Sequence, residues 1–403
     1  MKCKITGKKI VPFMSFGKMP IANGFLNKKD FNKEFFFDLK VGFSDKFSLF
    51  QLDEFPSIKK MFHKNYPFYT SSSKFMIEHF KNYARWSKKF LKSKSKIIEL
   101  GSNDGTFLKN FNNTSIDAIG FEPSKNVSDL AKKKGVKSIN KFFNTTNISD
   151  LKNFKGNTDL ICGANVVCHV PDLKNLFISI DRLLTKDGVF VFEEPYLGSV
   201  YEKNSYDQIY DEHIYLFSAV AISKIAAEFD LKVIDLLPQP THGGSMRYVL
   251  CRKSSGRAKT ARTEKLISYE KKINLDNSEF CKKFKKNCEV SKKNLKKKIL
   301  ELKNKEKKIC GYAATSKSTT ILNYCNIGPD LIDFISDTTP EKIGKYSPGS
   351  HIPIIDHKLF LKNKPDVAIL FAWNHSKEIM NKEKKFKKSG GKWLTFFPNV
   401  KVR

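Results

Sequence analysis

Apolar residues fall along this chain in three different patterns. Up to about residue 75 they come in short runs broken by Gly, Pro and Lys, such as Met19 to Leu26 and Val41-Gly42-Phe43, which suits a small loop-rich domain. A hydroxyl-rich stretch, Tyr69-Thr70-Ser71-Ser72-Ser73, then leads into Phe75 to Phe80, the signature of a helix start. From residue 96 strands and helical periods alternate. Ile97 to Leu100, Ala118 to Phe121, Leu160 to Ala164 and Gly188 to Glu194 read as buried strands, and Leu176 to Leu184 reads as a helix. Strands joined through helices imply a parallel sheet. Between 253 and 308, Phe280, Phe284, Cys288, Leu295, Ile299 and Leu302 recur at helical spacing among lysines, which predicts one long amphipathic helix bridging two domains. Beyond it, Lys308 to Tyr312, Leu331 to Asp337 and Asp366 to Asn374 read as strands of a second, smaller α/β unit. The chain is therefore expected to be α/β, divided at 1–72, 73–252, 253–308 and 309–403.

The first strand of the central unit runs into Glu99-Leu100-Gly101-Ser102-Asn103-Asp104-Gly105, a tight turn expected to open a helix. A dinucleotide fingerprint would read Gly-x-Gly-x-x-Gly with a pyrophosphate over the helix end, whereas this loop spaces its glycines as Gly101-x-x-x-Gly105 and carries Asp104. An acidic loop repels phosphate and attracts a cation. S-adenosylmethionine carries a sulfonium and an ammonium and no phosphate, so Glu99, Gly101, Asn103, Asp104 and Gly105 are candidates for holding it. The loop resembles the first motif of class I methyltransferases, whose domain is Rossmann-like. Glu122 closes the second strand 21 residues beyond Gly101. That is where doubly wound sheets bind ribose hydroxyls. Pro123 follows it, and Asn165, where the third strand breaks into a loop, completes the candidate cofactor set.

Candidate proton-handling groups lie further along. His169 falls at the carboxyl end of a strand, the edge where parallel sheets bind ligands. Tyr210-Asp211-Glu212-His213 sets an imidazole among carboxylates and a phenol, and a neighbouring carboxylate can orient a histidine and raise its basicity. Thr241-His242-Gly243-Gly244-Ser245-Met246-Arg247 offers paired glycines for close approach and a guanidinium able to hold a phosphate. The alternative is a hairpin turn with a surface arginine. In the last third, Gly311-Tyr312-Ala313-Ala314-Thr315-Ser316-Lys317 is a neutral-to-basic turn into a helix N-terminus, an end that suits an anion.

Composition narrows the function classes. The formal charge of +32 invites a nucleic-acid reading, but only seven of the 73 basic residues are arginine and the lysines are spread without interleaved aromatics, so a solvated lysine surface is expected. No apolar run is long enough for a membrane span and no leader is readable, which points to the cytoplasm. The eight cysteines form no Cys-x-x-Cys pair, and Cys162 and Cys168 sit in apolar runs as buried thiols would.

Taken together, Pro20 to Leu26, Glu99 to Gly105, Gly120 to Ser124, Asn165 to Asp172, Tyr210 to His213, Thr241 to Ser245, Gly311 to Lys317 and Tyr346 to Pro353 resemble one family along nearly the whole chain. It is the family of S-adenosylmethionine-dependent C-methyltransferases acting on nucleotide-linked keto-deoxysugars. The resemblance implies an N-terminal zinc module, a central cofactor domain and a C-terminal α/β domain that helps bind a nucleotide-diphosphate sugar. It implies methylation of a carbon beside a 4-keto group, with His213 as the base, Glu212 orienting it or contacting the sugar, His169 as a second proton carrier, and Tyr210 and Tyr69 as hydrogen-bond donors. Substrate contacts are expected from Tyr66, Ser72, His242, Gly243, Arg247, Thr315, Lys317 and His351. The chain departs from the pattern at the zinc module. Cys3 stands where the first Cys-x-x-Cys pair begins, Thr6 holds its partner position, and Ser44 and Phe47 replace the second pair, so no metal is expected. A methyltransferase acting on oxygen or nitrogen would share the cofactor cradle, and a basic non-catalytic binding protein would account for the charge alone.

Overall fold

A computed structural model describes residues 1–62, 66, 68–112 and 114–403. Three sheets organise the chain. The first begins with β1 (Pro12–Pro20), β2 (Phe36–Ser44) and β3 (Leu49–Leu52), paired antiparallel in that order. The hydroxyl-rich stretch then becomes a short 3-10 turn, and Ser73 caps the Lys74–Ser87 helix by accepting from the Met76 amide.

The central sheet contains β4 (Lys96–Leu100), β5 (Asp117–Phe121), β6 (Lys137–Ile139), β7 (Thr158–Ala164) and β8 (Leu184–Pro195). A two-residue strand, β9 (Tyr215–Leu216), leaves this unit and pairs with β3, closing the N-terminal sheet. The chain then returns as β10 (Leu231–Gln239) and β11 (Ser245–Arg252), giving the order β10-β11-β8-β7-β4-β5-β6. The sheet is mixed, not wholly parallel. β11 is antiparallel to both β10 and β8, because a hairpin inserts it beside β8 instead of a helical crossover. A third sheet, ordered β14-β13-β12-β15-β16-β17, comes from β12 (Ile309–Tyr312), β13 (Ile335–Asp337), β14 (Ile354–Asp356), β15 (Val367–Leu370), β16 (Lys392–Thr395) and β17 (Lys401–Val402).

Two further expectations change. The glycine loop after β4 opens into turns and a short 3-10 segment, Leu108–Phe111, not a regular helix. The stretch 253–308 is two helices, Ala261–Lys272 and Glu279–Lys303, separated at the polar run Asn274 to Ser278, where Asn274 takes a left-handed φ of 60°. The second helix buries Phe280, Phe284, Cys288, Leu295 and Ile299 in a core shared by β1, β2, β3 and the C-terminal sheet. It is thus a wedge between two domains, with lysines on its outer face. All eight cysteines are free and buried. Among the described residues no helix is long and apolar enough to cross a membrane.

The first of the two helices supplies a fully buried anchoring group. Glu270 has no exposed surface, and it accepts from Tyr196 Oη at 2.7 Å, from the Ala219 amide at 2.7 Å and from the Val220 amide at 2.8 Å. It thereby holds the start of the Ala219–Ala227 helix. Replacing it by alanine strands three buried donors, each costing roughly 1–3 kcal/mol. Glu270→Ala is expected to lower unfolding free energy by about 3 kcal/mol or more in denaturant titrations, with cofactor affinity of the remaining folded protein unchanged.

Candidate active site

One cavity of about 1140 Å³ lies where the three units meet. Its floor is the carboxyl edge of the central sheet, formed by Glu99, the Gly101 to Asn103 turn, Glu122 and Asn165. Gly101 has a φ of 58°, and a Cβ there would stand 2.8 Å from a Val166 methyl, so this turn needs glycine. Glu122 accepts from the Asn103 amide at 3.0 Å and the Ser124 amide at 2.8 Å, one on each oxygen. Each oxygen keeps a lone pair for a hydroxyl. Burial raises the Glu122 carboxyl, partly opposed by those two amides. Glu99 is buried harder. Its pKa is pushed well up by burial and by the nearby Asp104 and Glu122, and its Oε2 has no partner among the described residues.

The loop bearing Asn165 is pinned by Glu194, whose Oε1 accepts from the Val166 amide at 2.9 Å and the Val167 amide at 2.7 Å. Burial raises Glu194 to about 7. Asn165 sits at a left-handed φ of 55°, and its Oδ1 also lacks a partner. An orphaned carboxyl, an orphaned amide oxygen and a carboxyl with two open lone pairs, facing one cavity with no cation paired to them among the described residues, fit a ligand that is cationic at one end and rich in hydroxyls at the other. S-adenosylmethionine has that chemistry, and Glu99, Gly101, Asn103, Glu122, Pro123 and Asn165 are the residues that would hold it.

Asp104 and Gly105 take no part in the wall. Asp104 accepts from the Ser71 amide at 3.1 Å, from Lys134 Nζ at 2.9 Å and from Thr106 Oγ1 at 2.6 Å, so its charge is consumed inside the protein and its carboxyl held low, against burial. Gly105 packs on Val136 and Ala131. Together with Asn103 and Asn126, Asp104 ties Tyr66, Tyr69, Thr70 and Ser71 down across the glycine loop. Asn103 Oδ1 accepts from the Thr70 amide at 2.9 Å, and Asn126 Nδ2 donates to the Tyr66 carbonyl at 2.9 Å and to Tyr69 Oη at 2.7 Å. Tyr66, Tyr69 and Ser72 line the cavity, but the Tyr69 hydroxyl is engaged by Asn126 and Ser72 donates to the Tyr69 carbonyl at 2.7 Å.

On the opposite side stand the imidazoles. His213 Nδ1 lies 2.7 Å from the Gln208 carbonyl, which can only accept, so Nδ1 carries the proton and Nε2 is the basic nitrogen. Nε2 receives the Tyr210 hydroxyl at 2.8 Å. Burial first, then the neighbouring His169, lowers the His213 pKa well below its ordinary value, so the ring is neutral near pH 7. His169 is sandwiched between Phe62 and His213, with centroids 5.4 and 5.5 Å away; burial lowers it to about 3, and its Nε2 has no partner among the described residues. Cys168, His169 and His213 offer ligand atoms within 4.8 Å of one another. However, the thiol is engaged by Glu194, and both nitrogens of His213 are already bonded. Glu212 also faces the cavity, with its carboxyl raised by burial and by repulsion from Asp211. An imidazole of lowered pKa and a carboxyl of raised pKa thus share one wall.

The C-terminal domain contributes Thr315, Ser316 and Lys317, together with Thr338 to Lys342, Asn374 and His375. Thr315 caps the Ser316–Tyr324 helix through a reciprocal box with Ser318. Lys317 lies 3.5 Å from the His242 carbonyl and from Asn374 Oδ1, over the Trp373 ring. Burial lowers its pKa and Asp207 opposes the shift. His242 lines the cavity. Gly243, Arg247 and His351 do not. Gly243 takes a φ of 84°, and the Trp373 ring occupies the space a Cβ would need, so only glycine fits here. Arg247 is buried on Glu193, with Nε 2.6 Å from Oε1 and the guanidinium over Tyr83 and Trp86. It therefore has no free face for a phosphate and is not the surface arginine of a turn. His351 stacks on Phe31 and bonds to Glu34 at 2.7 Å, joining the C-terminal domain to the N-terminal one. Asn23, Phe142, Phe143 and Thr338 to Lys342 also line the cavity and were not among the expected site residues; Asn23 lies in the Pro20 to Leu26 run that carries the resemblance, while the others lie in none of those runs.

Three family models match the chain in order. They are a zinc binding domain over residues 3–62, a methyltransferase domain over 74–236 and a C-methyltransferase C-terminal domain over 240–398. A curated relative, C-methyltransferase NovU of Streptomyces niveus, is 26% identical over all of this chain and 96% of its own length. Together the models span residues 3–398, and the chain carries the domains of an S-adenosylmethionine-dependent C-methyltransferase. Solved structures similar to this enzyme include a methyltransferase of Thermotoga maritima, 18% identical over 43% of this chain and 91% of that one with a TM-score of 0.33. Another is PH0226 of Pyrococcus horikoshii, 13% identical over 49% of this chain and 100% of that one with a TM-score of 0.37.

The enzyme's N-terminal module does not fit a zinc ion. Cys3 is buried and hydrogen-bonded to Ser44 and Thr6, while Phe47 is buried in the same apolar cluster. The four positions converge, but with one thiol, two hydroxyls and a phenyl ring instead of four ligands. Untagged enzyme is expected to carry no stoichiometric zinc, and its melting transition should not move with a chelator; metal analysis and calorimetry check both. At the cofactor end, Glu122→Ala should weaken S-adenosylmethionine binding by roughly 1.5–3 kcal/mol, the scale of hydrogen bonds to a charged group. Titration calorimetry giving wild-type affinity would remove Glu122 from the site.

Proposed function

We propose that this enzyme methylates a ring carbon beside the keto group of a nucleotide-linked 4-keto-deoxysugar. What carries the reading is the pairing, in one cavity, of an imidazole whose pKa burial lowers with a buried carboxyl whose pKa burial and the neighbouring Asp211 raise. A carbon next to a ketone is a weak acid, and removing its proton is practicable only when the enolate oxygen is stabilised as the proton leaves. Groups whose environments push their pKa values apart are suited to that division of labour.

In this reading His213 Nε2 takes the carbon-bound proton. The C–H electron pair enters the enolate, and the proton resides on the imidazole, whose Nδ1–H stays fixed on the Gln208 carbonyl. Tyr210 keeps the Nε2 lone pair aligned when no substrate is present and yields its place to the substrate C–H. Glu212 donates its carboxyl hydrogen to the keto oxygen as negative charge develops there. S-adenosylmethionine, once bound, supplies a methyl group on a sulfonium, whose departure leaves a neutral thioether. His169 stacks on His213 and keeps the second face of the imidazole from water.

The far lobe favours a nucleotide diphosphate. Lys317 and Lys342 face the cavity among the hydroxyls of Thr315, Ser316, Thr338 and Thr339, giving two cations and several donors with few carboxylates beside them. The acidic lobe and the basic lobe therefore suit opposite ends of the reacting pair.

Proton removal can be separated from methyl transfer. In heavy water, with a dTDP-linked 4-keto-6-deoxy sugar and S-adenosylhomocysteine, wild-type enzyme should exchange deuterium into one carbon next to the ketone. His213→Ala should not exchange and should lose roughly 10²- to 10⁴-fold in turnover, with cofactor affinity near wild type. A variant that exchanges normally and fails only in methyl transfer would make His213 a positioning group and pass the base role to His169.

A further inference from the structure

The N-terminal module has lost the ligands of a metal site, yet it reaches the centre of the cavity through one residue. Asn23, just past β1, lines the wall next to Glu212. Its Nδ2 donates to Glu212 Oε1 at 2.8 Å, and its Oδ1 accepts from Ser316 Oγ at 2.9 Å. The flanking backbone is clamped on both sides. The Ala22 amide donates to Asp211 Oδ1 at 2.9 Å, and the Ala22 carbonyl accepts from Thr319 Oγ1 at 2.9 Å. A short loop of the first module is thus bonded to the loop bearing the base and to the first turn of the Ser316–Tyr324 helix.

The polarity of these bonds carries information. With the Ser316 hydroxyl on its oxygen, Asn23 presents N–H to Glu212, so Oε1 must accept. A neutral carboxyl has one accepting carbonyl oxygen and one hydroxyl oxygen; assigning the first to Oε1 leaves the hydrogen on Oε2. Among the described residues the hydrogen bond that the Glu212 carboxyl makes is to Oε1, and the side chain lines the cavity. We propose that Asn23 is a positioning residue of the methyl-transfer site, which places the carboxyl hydrogen of Glu212 on the oxygen facing the substrate ketone. The inference rests on Glu212 acting as the acid in the reaction proposed above.

Infrared spectroscopy tests it without turnover. In the S-adenosylhomocysteine complex, wild type should show a protonated-carboxyl C=O band that disappears in Glu212→Gln. In Asn23→Ala that band should persist but move to higher frequency, because its carbonyl oxygen has lost a donor; Ser316→Ala should move it in the same direction by less. An unmoved band in Asn23→Ala overturns the proposal, as does its loss, since Asn23 would then be deciding whether Glu212 is protonated, not which oxygen bears the hydrogen.

Kinetics with the dTDP-linked 4-keto-6-deoxy sugar supplies the second arm. Rising pH should remove the Glu212 hydrogen and lower kcat along an alkaline limb, which Glu212→Gln abolishes. Asn23→Ala should lower kcat roughly ten- to hundredfold with KM for the cofactor unchanged, below the 10²–10³ typical of deleting an oxyanion donor itself. Added to Glu212→Gln it should cost nothing more, whereas two independent losses that multiply overturn the proposal. Thr319→Val, which cuts the Ala22 clamp but leaves Asn23, separates packing from positioning: a kcat loss equal to that of Asn23→Ala also overturns it. If wild type fails to process the sugar, or Glu212→Gln is fully active, the reaction reading fails, and the infrared shift still reports on Asn23 separately.

Discussion

Keeping carboxyl groups dry without cations beside them is the constraint on which this site depends. Glu99, Glu122, Glu194, Asp211 and Glu212 are buried at or behind one cavity wall, and among the described residues the partners of the last four are backbone amides, an asparagine and a thiol. Burial raises all five. Two neighbours show the contrast. Glu193 is held low, against burial, by His79 and Arg247, and Asp104 by Ser71, Thr106 and Lys134. A chain with 73 basic residues keeps most of them away from the place where a cationic cofactor end would sit. The lysines that do approach, Lys317 and Lys342, belong to the C-terminal side of the cavity.

That arrangement requires precise scaffolding, because an amide that compensates a buried carboxyl must stay within hydrogen-bond reach. Three short loops supply it. The Ala22–Asn23 turn, the stretch from Asp207 to His213 and the start of the Ser316–Tyr324 helix are bonded to one another, and Thr320 Oγ1 adds a bond to the Ile209 carbonyl at 3.0 Å. Each comes from a different sheet system. The cavity is therefore a property of the junction and not of the cofactor domain alone.

Much of this was legible from the residues themselves. The residues Gly101 and Glu122, paired by their spacing, do line one cavity, and the phenol, carboxylate and imidazole of Tyr210, Glu212 and His213 fall together on it as their order implied. What local patterns miss are contacts set by tertiary pairing. Arg247 looks like a phosphate ligand until Glu193, 54 positions away, takes its guanidinium. Asp104 looks like a cofactor contact until Ser71 and Lys134 claim it. The break between the two lysine-rich helices was written in Asn274 to Ser278 and was outweighed by the periodicity on either side. Asn23 lies 189 positions from Glu212, so nothing in its own neighbourhood announces the bond.

β9 gives the architecture a further property. The strand that closes the N-terminal sheet follows directly on His213, with the Phe50↔Leu216 and Gln51↔Tyr215 pairs fixing its register. Because side chains alternate faces along a strand, a slip of one residue would invert Tyr215 and Leu216 and drag the adjoining loop with them. The first 62 residues are consequently not a portable cassette. A chimera made with a homologous module would have to import the segment from about 207 to 217 along with it, so the workable unit of recombination is the four-stranded sheet and not a contiguous stretch of gene.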